Sequence, residues 1–159
     1  MVKTLSTRVR LIVMAAIMMV LAGIVAGLAA DDASALCATP VEQGSWVNTD
    51  PDTRSLTRIQ LRFVCKDQIL NGQPYPPGPE WYVHVFGKCY PTDCDWGEVG
   101  ARRLDSGHIY AVYDQGYAKR YVYAKMSQYR PGQLWVYTST DFVDPNRADY
   151  TTQNWFKRQ

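Results

Sequence analysis

Histidine is almost absent from this 159-residue chain: His84 and His108 are the only two. Proton-transfer catalysis needs a positioned base within reach of a nucleophile or carboxylate. Here one histidine falls in the middle of an alternating segment and the other beside Gly107, near one end, so they are not convincing partners. There is no Gly-x-Ser-x-Gly elbow and no His-Glu-x-x-His pair. A glycosidase-like carboxylate pair is a matter of three-dimensional separation, which spacing along the chain does not supply. No catalytic residue is therefore assigned, and no cofactor or metal is implied. An excess of one charge is missing too, with 17 Lys and Arg against 15 Asp and Glu. A nucleic-acid binder normally shows a basic stripe, so that class is set aside. Beyond the first 35 residues there is no helical periodicity either, which points away from a helical fold.

What is present begins with an export signal. Lys3, Arg8 and Arg10 precede an apolar run from Leu11 to Ala30, and Ala33-Ser34-Ala35 offers a small-x-small cleavage site. Cleavage there predicts a signal peptide over 1–35 and a single domain over 36–159. The alternative is an uncleaved segment anchoring the protein to a membrane, since the run is long enough to span one. Leu36 before Cys37 argues against a lipid-modified cysteine. Of the charged residues, Lys3, Arg8, Arg10, Asp31 and Asp32 precede the cut, leaving 14 basic against 13 acidic. All 20 aromatic residues lie after it, a load that suits strands and binding surfaces. Four cysteines in an exported chain read as two disulfides.

The apolar pattern after the signal has a period of two and is punctuated by Pro, Gly, Asp and Asn. It predicts eight strands, beginning at Gly44, Leu56, Trp81, Trp96, His108, Tyr117, Gln133 and Ala148. The second, Leu56 to Cys65, alternates cleanly except for a slip near Arg58. Residues 66–80, rich in Pro and Gly, read as a loop. Eight strands with mostly short connections predict an all-β fold, an eight-stranded up-and-down antiparallel barrel, with a β-sandwich as the alternative.

In such a meander, successive turns alternate between the two ends. Cys37 and Cys65 then fall at one end, Cys89 and Cys94 at the other. A strand of about seven residues, rising roughly 3.3 Å per residue, keeps the ends farther apart than the ~7 Å a disulfide tolerates between Cα atoms. The pairing Cys37–Cys65 and Cys89–Cys94 follows. The end holding Cys89 also gathers Asp50, Asp52, Arg54, Asp93, Asp95, Trp96, Asp144 and Arg147, a candidate polar rim with Arg54, Lys88 and Arg147 as partners for the acids. Aspartate also serves as ordinary turn chemistry. No complete calcium loop is present, so no metal is assigned to the rim.

The sixth and seventh strands place Tyr117, Tyr121, Tyr123, Trp135 and Tyr137 opposite a small, branched set. Lys119 and Lys125 share the tyrosine side, and lysines are rarely buried without partners. The aromatic side is therefore expected outside, as a candidate surface for a partner or sugar polymer.

The first strand opens Gly44-Ser45-Trp46 and the last ends Lys157-Arg158. This resembles the calycin superfamily of lipocalin-like and avidin-like barrels, which implies that Arg158, or Lys157, packs on Trp46 at the barrel base. The lipocalin Asp-Tyr motif and a biotin-site residue set are not evident, so biotin is not carried over. Trp46-x-Asn48-x-Asp50-Pro51, the run Cys89-Tyr-Pro-Thr-Asp-Cys-Asp-Trp-Gly97, and Phe142-x-Asp144 with Arg147-x-Asp149-Tyr150 resemble a group of small exported bacterial proteins. That resemblance implies export and a barrel but no reaction. The expected function is a secreted, non-enzymatic binding module. Its partner is an unknown small ligand in the barrel, or a saccharide or protein on the aromatic surface. The alternative is an interaction or protease-inhibitor-like protein presenting the clamped 89–94 loop.

Overall fold

A computed structural model of the chain describes residues 38–159. The expected signal segment and Cys37 lie outside the described residues, and with them the expected bond to Cys65; Cys65 itself is not a free thiol. The described residues form ten strands: β1 (Gly44–Asn48), β2 (Leu56–Phe63), β3 (Gln68–Leu70), β4 (Gln73–Tyr75), β5 (Trp81–Gly87), β6 (Cys94–Arg103), β7 (Ile109–Asp114), β8 (Ala118–Met126), β9 (Leu134–Phe142) and β10 (Tyr150–Arg158). Eight of them close an antiparallel barrel in the order β1-β2-β5-β6-β7-β8-β9-β10, with β10 pairing back onto β1. The closed ladder excludes the sandwich.

Strict alternation is what bends these sequences into a wall. In β5, Trp81, Val83, Val85 and Gly87 are buried while Tyr82, His84 and Phe86 are half-exposed, so one edge of each pleat faces the core. The slip near Arg58 is a real irregularity: the β2–β5 register shifts between Leu56 and Arg58. An extra residue there restores the inward set Ile59 and Leu61 to the core face. A second shift falls between His84 and Phe86, opposite Gly97, whose φ of 78° admits the bulge.

Residues 66–80 correct the expectation of an unstructured loop. They fold back as the β3–β4 hairpin, an exposed two-stranded sheet separate from the barrel. Asn71 (φ 51°) and Gly72 (φ 76°) at its tip both take positive φ, the requirement of a type I′ turn. The Asn-Gly pair carried that signal, and the surrounding prolines masked it.

Apolar side chains fill much of the barrel interior. Trp46, Ile59, Leu61, Trp81, Val83, Ile109, Val122, Leu134, Val136 and Phe156 are essentially inaccessible to solvent. The end of the barrel nearest them is closed by the segment before β1. Trp46 Nε1 donates to the Glu42 carbonyl at 2.9 Å, and Arg103 pairs with the Glu42 carboxylate at 3.0 Å. Arg158 stands directly opposite Trp46 in the β1–β10 register, its Cζ 4.4 Å from the indole centroid. Its guanidinium also donates to the carbonyls of Gln43 (2.7 Å) and Val41 (2.5 Å). Gly44 is required beside it: a Cβ there would lie 2.4 Å from Arg158 Nη1, and φ is +135°. This end is the base.

Candidate functional site

At the opposite end the inward-facing positions change character. β9 runs Leu134, Val136, Thr138, Thr140 along its buried face, apolar near the base and hydroxylic near the mouth. β10 does the same in reverse, from Phe156 through Asn154 to Thr152. β8 contributes Arg120 to the inner face, in the same alternation as the buried Ala118, Val122 and Ala124. Of these, Arg120, Thr138, Thr140 and Thr152, with Trp96 of β6 and the loops around Arg54, Lys88 and Tyr117, enclose an open cup of about 410 Å³. That volume lies within the range of small-molecule sites.

One wall of the cup has its hydrogen bonds in order. Asn48 Nδ2 donates to the Leu56 carbonyl (2.6 Å) and to Asn154 Oδ1 (3.0 Å). Asn154 Nδ2 in turn donates to Ser55 Oγ (3.2 Å), and Ser55 donates to Thr152 Oγ1 (2.9 Å). The adjoining strands β8 and β9 are different. Thr138 Oγ1, Thr140 Oγ1 and Arg120 Nε are all shielded from solvent and have no hydrogen-bond partner among the described residues. Burying a hydroxyl in this state costs about 1–3 kcal/mol.

Arg120 is held as a plate. Its Cζ lies 4.3 Å from the centroid of the Trp96 ring. Its terminal nitrogens make long contacts with the hydroxyls of Tyr150 (3.4 Å) and Tyr117 (3.3 Å). Trp96 is itself fixed edge-on to Tyr113, 5.6 Å between centroids, and its indole crosses Gly87 so closely that a Cβ there would sit 3.0 Å away. Tyr113 is buried and donates to the Val83 carbonyl at 2.7 Å, and burial pushes its pKa far up, so it stays a neutral donor.

The Cys89–Cys94 disulfide, Cα atoms 5.4 Å apart, clamps the β5–β6 connection at this same end. It is consistent with an extracytoplasmic location. The rim acids do not converge. Asp50 accepts from the Asp52 amide (3.0 Å) and Asp144 from the Asn146 amide (2.9 Å), each capping its own turn. Asp95 accepts from the Gly97 amide (2.7 Å) and lies 2.5 Å from His84 Nε2, contacts that hold its carboxyl below the usual range. Asp93 is 3.9 Å from Lys88. Arg54 and Arg147 form no ion pair among the described residues, and Arg147 lies instead over the Phe142 ring at 3.7 Å. No group of three His, Cys, Asp or Glu side chains among the described residues is arranged to hold a metal.

The outer wall carries the other sequence-identified residues. Tyr110, Tyr121, Tyr123, Tyr137, Trp135 and His108 form a connected ladder across β7, β8 and β9, with neighbouring centroids 4.9 to 6.5 Å apart. Tyr117 does not belong to it. β8 begins one residue later, and Tyr117 stands at the mouth, its hydroxyl bonded to Gln115 and Arg120. No family model, curated protein or solved structure matches this chain. Geometry alone must therefore choose among its surfaces.

Arg120, Thr138 and Thr140 did not stand out in the sequence as site residues. Strand alternation had already placed Arg120 in the small, branched set with Ala118, Val122 and Ala124. One arginine on an otherwise apolar inward stripe was the available signal.

Proposed function

We propose that the domain is an exported, calycin-like binding module that takes a small polar ligand in the mouth of its barrel. The observation that carries this reading is the cluster of buried, unpartnered polar atoms of Arg120, Thr138 and Thr140 beside a cup of ligand size. Six buried side-chain polar atoms lack a partner among the described residues, and three of them gather here. The aromatic ladder on the outer wall leaves none of its polar atoms in that state, and tyrosines facing solvent are ordinary strand residues. That difference favours the cup over the wall.

A second reading rests on the clamped loop. Tyr90, held between Cys89 and Cys94, is 97 % exposed and suits presentation to a protein partner. Native mass spectrometry of protein purified from its host separates the two. The cup reading expects a small-molecule adduct that is released on denaturation. Its absence, together with tight capture of a protein through the loop, would sink that reading.

A further inference from the structure

We infer that the cup takes a small hydroxylated carboxylate, of the size of a sugar acid, with Arg120 as the anchor for its charge. This rests on the cup reading and deepens it. A guanidinium is always charged, and its planar fork matches a carboxylate. Arg120 holds that fork at the mouth with no carboxylate in ion-pair reach among the described residues. Its present contacts are neutral: one ring face at 4.3 Å and two tyrosine hydroxyls at 3.3 and 3.4 Å. These orient the cation without compensating it.

The surroundings bias the cup in the same direction. Arg54 and Lys88 line it together with Arg120. One acid, Asp95, also lines the cup and is engaged by His84 and the Gly97 amide, leaving three cationic side chains against one carboxylate in the lining; Asp93 sits beside Lys88. Cationic groups around a concave, partly water-excluded site draw anions toward it. Beyond the charge, Thr138 and Thr140 supply unused hydroxyls, which suits a ligand rich in hydroxyl groups. An apolar acid would leave those hydroxyls unpaired, and a bare inorganic anion would answer the cations but offer no hydroxyl groups to the threonines.

The test is a titration of the full mature domain with glucuronate, gluconate, glucose and inorganic phosphate. It is read by calorimetry and by the NMR signals of Arg120 Nε–H and the Trp96 indole N–H. The sugar acids are expected to bind about ten- to a hundredfold more tightly than glucose, the range for hydrogen bonds to a charged group, and more tightly than phosphate. Both signals should move. Arg120→Gln should erase the preference for the acids, and Arg120→Lys should keep part of it. Because the comparison between glucuronate and glucose is made on the unaltered protein, it holds even if a variant folds poorly. Glucose binding as tightly as glucuronate, or phosphate doing so, would overturn the assignment, as would no binding by either acid. A neutral adduct retained by the native protein would overturn the anion and leave the cup reading standing.

Discussion

At the base of the barrel, Trp46, Leu134 and Phe156 pack with no accessible surface to speak of. The charged groups that close it are paired, Glu42 with Arg103 and Arg158 with two carbonyls; the core indole left there without a hydrogen bond among the described residues is Trp81, which lies under Arg103. At the mouth, on the same strands, Thr138, Thr140 and Arg120 face inward with hydrogen-bonding atoms that nothing among the described residues satisfies. The fold would be as well or better served by valine at the two threonines, since a buried hydroxyl without a partner opposes folding. The base thus reads as the part that holds the barrel together. The mouth reads as the part whose composition folding does not explain.

The largest effect should come from breaking the base. Trp46→Ala removes one of the two largest fully buried side chains, its bond to the Glu42 carbonyl and the ring beneath Arg158. Urea unfolding should show a loss of about 3–5 kcal/mol. At the mouth, replacing Cys89 and Cys94 by serine opens a loop of sequence separation 5. Loop-closure entropy sets that loss at about 2 kcal/mol, and the barrel should stay folded.

A pH experiment sharpens the comparison further. Burial raises the pKa of Glu42, but its hydrogen bonds to Arg103 and to a backbone amide outweigh this and leave it lowered. A lowered carboxyl pKa contributes stability that is full above the unfolded-state value, about 4.3, and is lost as pH falls through the folded one. Melting temperature should therefore drop more steeply below about pH 4 in the native protein than in Glu42→Gln. At pH 7 that variant should be weaker by about 1–2 kcal/mol. An unchanged acid limb in Glu42→Gln would remove the base latch from this account.

The barrel was legible in the sequence because alternation is a local property: the inward Trp81, Val83 and Val85 are spaced by two wherever one looks. The Cys89–Cys94 clamp was legible because strand parity fixes which turns share an end. The 68–75 hairpin was not, because Pro74, Pro76 and Pro77 dominated a stretch whose Asn71-Gly72 turn was the decisive pair. The acidic rim follows the turn-chemistry reading of its aspartates. Aspartates that gather in sequence-derived turns each find a backbone amide two residues on, as Asp50, Asp114 and Asp144 do, and so do not act together. The cup was hidden because it is made of one to three residues from each of β6, β8, β9 and β10, and Arg120, Thr138 and Thr140 form no local motif. Tyr117 is exposed as expected but stands apart from the ladder because β8 starts at Ala118, after a turn in which the Gln115 amide donates to the Ala118 carbonyl.

The most direct test of the difference between the two ends is the double substitution Thr138→Val with Thr140→Val, followed by both unfolding free energy and retained adduct. If the mouth is kept polar for a ligand, the variant should be as stable as the native protein or up to about 1 kcal/mol more stable, and it should lose the small-molecule adduct. A variant clearly less stable that still carries the adduct would contradict the account.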